Sequence, residues 1–143
     1  MRRILFGAGL AGVISACLLP ATSRPALADA ATTSTGSGIG VTGGAAVYQH
    51  VCQGCHMPGG RGAKGAGYFP ALAGDSNLAS PIYPVTMVLN GRGGMPWFNG
   101  MLSNTQIAEV VNYVRSHFGN HYDDAVTPSQ VAALRGPAPT MEK

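Results

Sequence analysis

Cys52, Gln53, Gly54, Cys55 and His56 set two thiols three residues apart with an imidazole directly after the second. Thiols at that spacing can form a redox pair, half of a zinc site or the attachment points of a covalent haem. A thioredoxin-like pair belongs to a βαβ context, and no such pattern flanks this run. A zinc site needs two further ligands, and the sequence has no second cysteine pair. Haem attachment uses every residue of the motif. Two thiols one helical turn apart can add to the two vinyl groups of one porphyrin, and the next residue then turns a neutral imidazole nitrogen toward the iron. The motif predicts one haem c tethered through Cys52 and Cys55, with His56 as the proximal metal ligand.

A second axial ligand must come from elsewhere. The candidates are Met57, Met87, Met95, Met101, His50, His117 and His121. Met57 adjoins His56 and cannot reach the opposite face, and His50 shares the short helix before Cys52. Met87 lies in an apolar helical stretch, where a methionine packs by default. Met95 sits in Asn90-Gly91-Arg92-Gly93-Gly94-Met95-Pro96-Trp97-Phe98, where glycines permit close backbone approach and Pro96 fixes its own φ. Met95 is the expected sixth ligand, with Met101 as its rival. His117 and His121 read as surface or helix-end residues.

These residues need elements to position them. Residues 1–28 have the anatomy of a secretory signal peptide: Arg2 and Arg3, an apolar run from Ile4 to Leu19, and Ala26-Leu27-Ala28 as the cleavage pattern. Ile14-Ser15-Ala16-Cys17 also matches a lipoprotein signal, in which Cys17 would carry lipid. Residues 29–42 have little bulky apolar content and read as a flexible linker. A short helix from Gly44 runs into Cys52, and a second covers Pro81 to Asn90 with a stop at Gly91. Residues 57–80 have no sustained period and need something other than secondary structure to organise them.

Ser103-Asn104-Thr105-Gln106 has the form of a capping box. It opens a helix on which Ile107, Val110, Val111, Val114 and Phe118 recur at helical spacing up to Gly119. Thr127-Pro128-Ser129-Gln130 starts another short helix, through about Leu134. With no alternating strand pattern, the chain reads as all-α. The full sequence has a formal charge of +3, but without residues 1–28 six basic side chains face six acidic ones. That balance gives no ground for a nucleic-acid partner.

From Gly44 to Gly119, and more weakly to Arg135, the chain resembles the class I cytochrome c family. The resemblance is carried by Gly44 and Tyr48 before the Cys-x-x-Cys-His run, by Phe69-Pro70-Ala71-Leu72-Ala73-Gly74, by Met95-Pro96, and by the helix that contains Tyr113. It implies a class I cytochrome c fold of three to four helices around one covalently bound haem. It places the cytochrome domain at 43–119 and leaves 120–143 as a C-terminal extension with a short helix. It further implies that Gly44, Tyr48, Val110 and Tyr113 meet where the first and last helices of the domain cross, and that the Pro70 carbonyl holds the His56 ring. The glycine-dense Gly91 to Met95 segment departs from the family's pattern. A closer likeness joins Val88-Leu89-Asn90-Gly91, Ile107 to Arg115 and Val126 to Arg135 to the cytochrome domains that accompany bacterial periplasmic alcohol, aldehyde and sugar-acid dehydrogenases. Those subunits often carry several haems, whereas this chain has one attachment motif.

The resemblance implies a periplasmic electron carrier rather than an enzyme. It would take electrons from a periplasmic or membrane-bound dehydrogenase and pass them toward the respiratory chain, to an oxidase or another cytochrome. Two axial ligands leave no open iron site, and a His/Met pair raises the reduction potential. The alternatives are a small peroxidase-like haem enzyme, which needs an open sixth position, and a haem-based ligand sensor. Association with a membrane would require lipid on Cys17 or a partner subunit. Arg61, Lys64 and Arg92 flank the two ligand segments and would form a positive collar for a redox partner; the rival reading is three scattered solvated charges.

Overall fold

The computed structural model describes residues 39–137. The expected signal peptide, Cys17 and residues 29–38 of the expected linker therefore lie outside the described residues. In chain order the elements are α1 (Gly44–Val47), a π-helical turn (Tyr48–Cys52), α2 (Gln53–His56), a two-stranded ladder of β1 (Ala63–Lys64) and β2 (Tyr68–Phe69), α3 (Ile82–Asn90), α4 (Asn104–Ser116) and α5 (Pro128–Leu134). The first three run on without a break, so one N-terminal helical stretch leads directly into the Cys-x-x-Cys-His residues. The whole is compatible with the cytochrome c fold.

Local sequence explains where the longer helices begin. At α4 the Gln106 amide donates to Ser103 Oγ at 3.2 Å, and the Ser103 amide donates to Gln106 Oε1 at 2.9 Å. Thr127 and Gln130 repeat the exchange at α5, at 3.3 and 2.8 Å. Each box satisfies two amides that a helix start leaves without partners. Helix α3 ends at Gly91, whose φ of 67° suits glycine.

Packing follows the apolar stripe of α4. Ile107, Val110, Val111 and Val114 are buried, together with Val47 and Tyr48 from the N-terminal stretch and Leu78, Val85, Leu89 and Val131. Each such side chain contributes roughly 1.5–3 kcal/mol when fully buried. Gly44 lets the first helix meet α4 closely: a Cβ there would lie 2.7 Å from Tyr113 Cβ and would collide with the Glu109 carbonyl. Tyr48 then stacks beside Tyr113, ring centroids 5.8 Å apart, and beside Phe118 at 4.9 Å.

Three features depart from the expected pattern. Helix α4 stops at Ser116 rather than running to Phe118. The His117 ring folds over Tyr113 at 4.1 Å, and Phe118 takes a φ of 61° that turns its ring into the aromatic cluster. The ladder β1–β2 pairs Ala63 with Phe69 and Lys64 with Tyr68 in a region without strand alternation; its backbone groups must pair somewhere, and a hairpin is the short-range solution. Finally, the end of the expected linker is tied down. Gln106 Nε2 donates to the carbonyls of Ile39 and Val41, each at 2.6 Å.

Arg115, one of the six basic side chains outside residues 1–28, is fully buried. Its Nε donates to the Leu78 carbonyl at 2.9 Å, and the guanidinium also bonds the carboxylate and backbone carbonyl of Asp124. Asn112 exchanges two bonds with Val126, at 2.9 and 2.7 Å. The segment after α4 is thus strapped back along it.

The side-chain hydrogen bond from Arg115, followed by its charge, lowers the Asp124 carboxyl below its ordinary value of 3.8. A carboxylate held low in the folded state adds stability that is present above the unfolded value and lost as pH falls through the folded one. Replacing Asp124 with Asn is therefore expected to lower the unfolding midpoint at pH 7, with the gap between the two proteins narrowing as pH falls through the lowered folded-state value of the carboxyl. Denaturant unfolding across that range measures it; curves separated by a constant gap at every pH would refute the linkage.

Candidate functional site

The end of the N-terminal helical stretch, the β2–Leu72 segment, α3, the Met95 loop and α4 together enclose a cavity of about 480 Å³. That size lies within the range of small-molecule and cofactor sites. Cys52, Cys55, His56, Pro70 and Met95 all line it. The remaining wall is mostly apolar, with Val88 from α3, Val111 and Val114 from α4, and Leu72, Leu78 and Phe98 among its residues.

His56 is the last residue of α2 and is buried. Its Nδ1–H donates to the Pro70 carbonyl at 3.0 Å. A carbonyl can only accept, so the neutral ring carries its proton on Nδ1 and keeps the Nε2 lone pair available. Two devices hold this pair. Gly62, at φ 65°, lies so close to the returning chain that a Cβ would sit 2.6 Å from the Ala71 amide and 2.7 Å from the Pro70 carbonyl carbon. On the other side, Met57 turns the chain sharply at φ 64° and ψ 159°, a region that disfavours side-chain-bearing residues. The Tyr48 hydroxyl donates to the Met57 carbonyl at 2.7 Å and pins that turn.

Met95 is set by a tight turn. The Arg92 amide donates to the Met95 carbonyl and the Met95 amide to the Arg92 carbonyl, each at 3.0 Å. Gly91 makes room for it: a Cβ there would meet the Met95 carbonyl oxygen at 2.5 Å and the Trp97 amide at 2.8 Å. The glycine-dense segment is thus a compact turn that seats Met95. Of the other methionines, Met87 also lines the cavity, whereas Met101 does not and is exposed. The rival that geometry leaves beside Met95 is therefore Met87, which the sequence read as core.

Burial, and then the neighbouring Cys55, push the Cys52 thiol up to about 11. A thiol held high in this way is a poor thiolate nucleophile, unlike a thioredoxin-type cysteine.

The family described as cytochrome c oxidase, cbb3-type, subunit III, matches residues 40–114, more than half of the chain. The chain belongs to the cytochrome c family. It is 38% identical over 94 residues to the fructose dehydrogenase cytochrome subunit of Gluconobacter japonicus, covering 55% of this chain and 19% of that one. It is 35% identical over 105 residues to the cytochrome c subunit of the quinone alcohol dehydrogenase of Gluconobacter oxydans, covering 64% and 22%. It is also 38% identical over 72 residues to cytochrome c6 of Leptolyngbya boryana, covering 50% of this chain and 85% of that protein. The chain thus spans about a fifth of the dehydrogenase subunits it matches and most of a cytochrome c6.

Membership of this cytochrome family makes haem c the covalently bound cofactor, with Cys52 and Cys55 in the Cys-x-x-Cys-His region that attaches it. The residues present fit that group. Two thiols and an oriented imidazole lie on the wall of an apolar cavity whose size suits a cofactor. The sequence reading did not find Gly62 or the Tyr48 hydroxyl contact. The available signal was the glycine density just after the motif, at Gly59, Gly60 and Gly62, all three of which take positive φ.

Changing Gly62 to Ala is expected to destabilise the protein by about 1–3 kcal/mol and to speed solvent exchange of the His56 Nδ1 proton. Denaturant unfolding and proton NMR of the holoprotein report the two effects. Exchange at the parent rate would mean that Gly62 does not hold Pro70 against the ring.

Proposed function

We propose that this chain is an exported, periplasmic cytochrome with a single haem, which accepts electrons from a periplasmic or membrane-bound dehydrogenase and passes them toward the respiratory chain. The observation that carries this reading is the His56 ring, fixed through Nδ1 at the wall of a cavity that Met95 also lines. In it Cys52 and Cys55 tether the haem, His56 and Met95 bind the iron, and the Pro70 carbonyl orients His56. Such carbonyl contacts fix the tautomer and raise the basicity of the ligand. The haem supplies one-electron chemistry; the protein sets its potential, orientation and exposed edge.

The relatives support a dehydrogenase as the redox partner, because they include cytochrome subunits of fructose, alcohol and gluconate dehydrogenases. In this reading residues 1–28 are cleaved after Ala28; the alternative is a lipoprotein whose mature chain begins at a lipidated Cys17. Residues 43–119 form the cytochrome domain and 120–143 its extension. Among the described residues no helix is long and apolar enough to cross a membrane.

The cationic collar becomes more specific. Arg92 lines the cavity, and Lys64 lies 5.8 Å over the ring of Tyr68, an exposed residue at the same cavity. Arg61 is exposed, while Asp75 lines the same cavity with the opposite sign. Asp124, by contrast, is engaged with Arg115.

Met95 replaced by Ala should abolish the methionine–iron charge-transfer band of the oxidised protein, lower its potential and open the iron to carbon monoxide when reduced. Survival of the band would transfer the ligand role to Met87, and a parent protein that is high-spin and binds carbon monoxide readily would favour an enzyme or sensor. If the collar acts, electron exchange with ferricyanide slows as salt is raised, and R61Q, K64Q and R92Q combined remove that dependence. A rate insensitive to salt in the parent would leave three unrelated surface charges.

A further inference from the structure

The loop that carries Met95 is gripped at its other end by a side chain from the C-terminal extension. Asn99 is 3% exposed, and both ends of its amide are engaged. Its Oδ1 accepts from Arg135 Nη1 at 2.8 Å, and its Nδ2 donates to the Gly136 carbonyl at 2.9 Å. The same guanidinium donates through Nε to Asn104 Oδ1 at 2.7 Å and through Nη2 to the Leu102 carbonyl at 2.9 Å. One residue just past the end of α5 therefore closes on the stretch between the cavity and the first turn of α4 at three points.

That stretch bears directly on the cavity wall. Asn99 follows Phe98, which lines the cavity and whose amide donates to the Val88 carbonyl of α3 at 2.9 Å. The amides of Met101 and Leu102 both return to the Phe98 carbonyl at 3.0 Å. Residues 95–98 are thus held on one side by the Arg92–Met95 turn and on the other by the Arg135 clasp. Apolar docking of α5 does not require this, because Val131 already supplies a fully buried contact. The guanidinium adds directional bonds in a fork that fits several acceptors at once, and losing its partner would strand the buried Asn99 amide.

We propose that Arg135 is a positioning residue for Met95: the clasp holds the loop in the conformation that keeps Met95 at the cavity, so the C-terminal extension sets how readily the sixth axial position opens. The inference rests on the reading of Met95 as the iron ligand.

The test uses holoprotein variants R135Q, R135K and N104A. N112A serves as a control, because it cuts the separate strap to Val126. Imidazole is titrated into each oxidised protein while the methionine–iron band is followed, and thermal unfolding is recorded in parallel. Opening of the loop raises the fraction of protein competent to bind imidazole, and apparent affinity scales with that fraction. R135Q is expected to bind imidazole about tenfold more tightly than the parent. R135K should recover part of the difference, because one ammonium can replace some of the bonds but not the fork. N104A, which removes a single point of the clasp and survives even if R135Q does not fold, should shift in the same direction by less. N112A should lower the unfolding temperature without changing the affinity. Parent affinity in both R135Q and N104A, or an equal rise in N112A, would overturn the proposal. M95A separates the two levels. Loss of the band in M95A with parent affinity in R135Q removes the clasp alone; a band that persists in M95A removes the ligand reading and the clasp's role with it.

Discussion

The hydrogen bond from the His56 ring to the Pro70 carbonyl is the constraint that the surrounding chain serves. It requires a helix to end at residue 56 with its imidazole already aimed, and it requires the backbone to return fourteen residues later at a fixed depth. The return is accomplished by a run of turns with little regular structure. Backbone contacts hold it, among them the Gly62 amide on the His56 carbonyl at 2.9 Å and the Leu72 amide on the Gly60 carbonyl at 2.7 Å. Where the chain has no space for a side chain it uses glycine, and where it must bend at Met57 it accepts an unfavourable backbone and stabilises it with a buried hydroxyl.

Much of this frame was legible because it is local. The Cys-x-x-Cys-His run names its chemistry by residue type and spacing, and the Ser103 and Thr127 boxes specify their helix starts within four residues. What escaped the sequence depends on partners far along the chain. Nothing local to Arg115 marks its burial, which depends on Leu78 and Asp124 being brought to it. The turn at Phe118 answers to Tyr48, seventy residues earlier. Met87 and Met101 exchange standing because which face of α3 lines the cavity is a tertiary fact, not one that the run of apolar residues from Ile82 to Leu89 encodes.

The polar bonds of the C-terminal segment add a second theme. Hydrophobic contact alone would let residues 117–137 slide along α4, since apolar surfaces are tolerant of register. Asn112, Arg115, Asn120 and Arg135 bond backbone carbonyls, and carbonyls have fixed positions. Only the Arg115 end of its pair with Asp124 is buried, because the Asp124 side chain stays mostly exposed, and a solvent-facing partner limits what such a pair adds to stability. The contact therefore counts mainly as a device that selects one alignment.

The π-helical turn at Tyr48–Cys52 divides the first helix into two instruments. In an unbroken α-helix Tyr48 and Cys52 would stand on one stripe, since residues four apart share a face. Widening one turn by a residue changes the angular step by which later side chains follow earlier ones, about 100° per residue in the ideal helix. Gly44 and Tyr48 can then serve the crossing with α4 while Cys52, Cys55 and His56 address the cavity. A single thirteen-residue stretch thus acts as two consecutive bearings on one shaft, coupled where the Tyr48 hydroxyl reaches forward to the Met57 carbonyl.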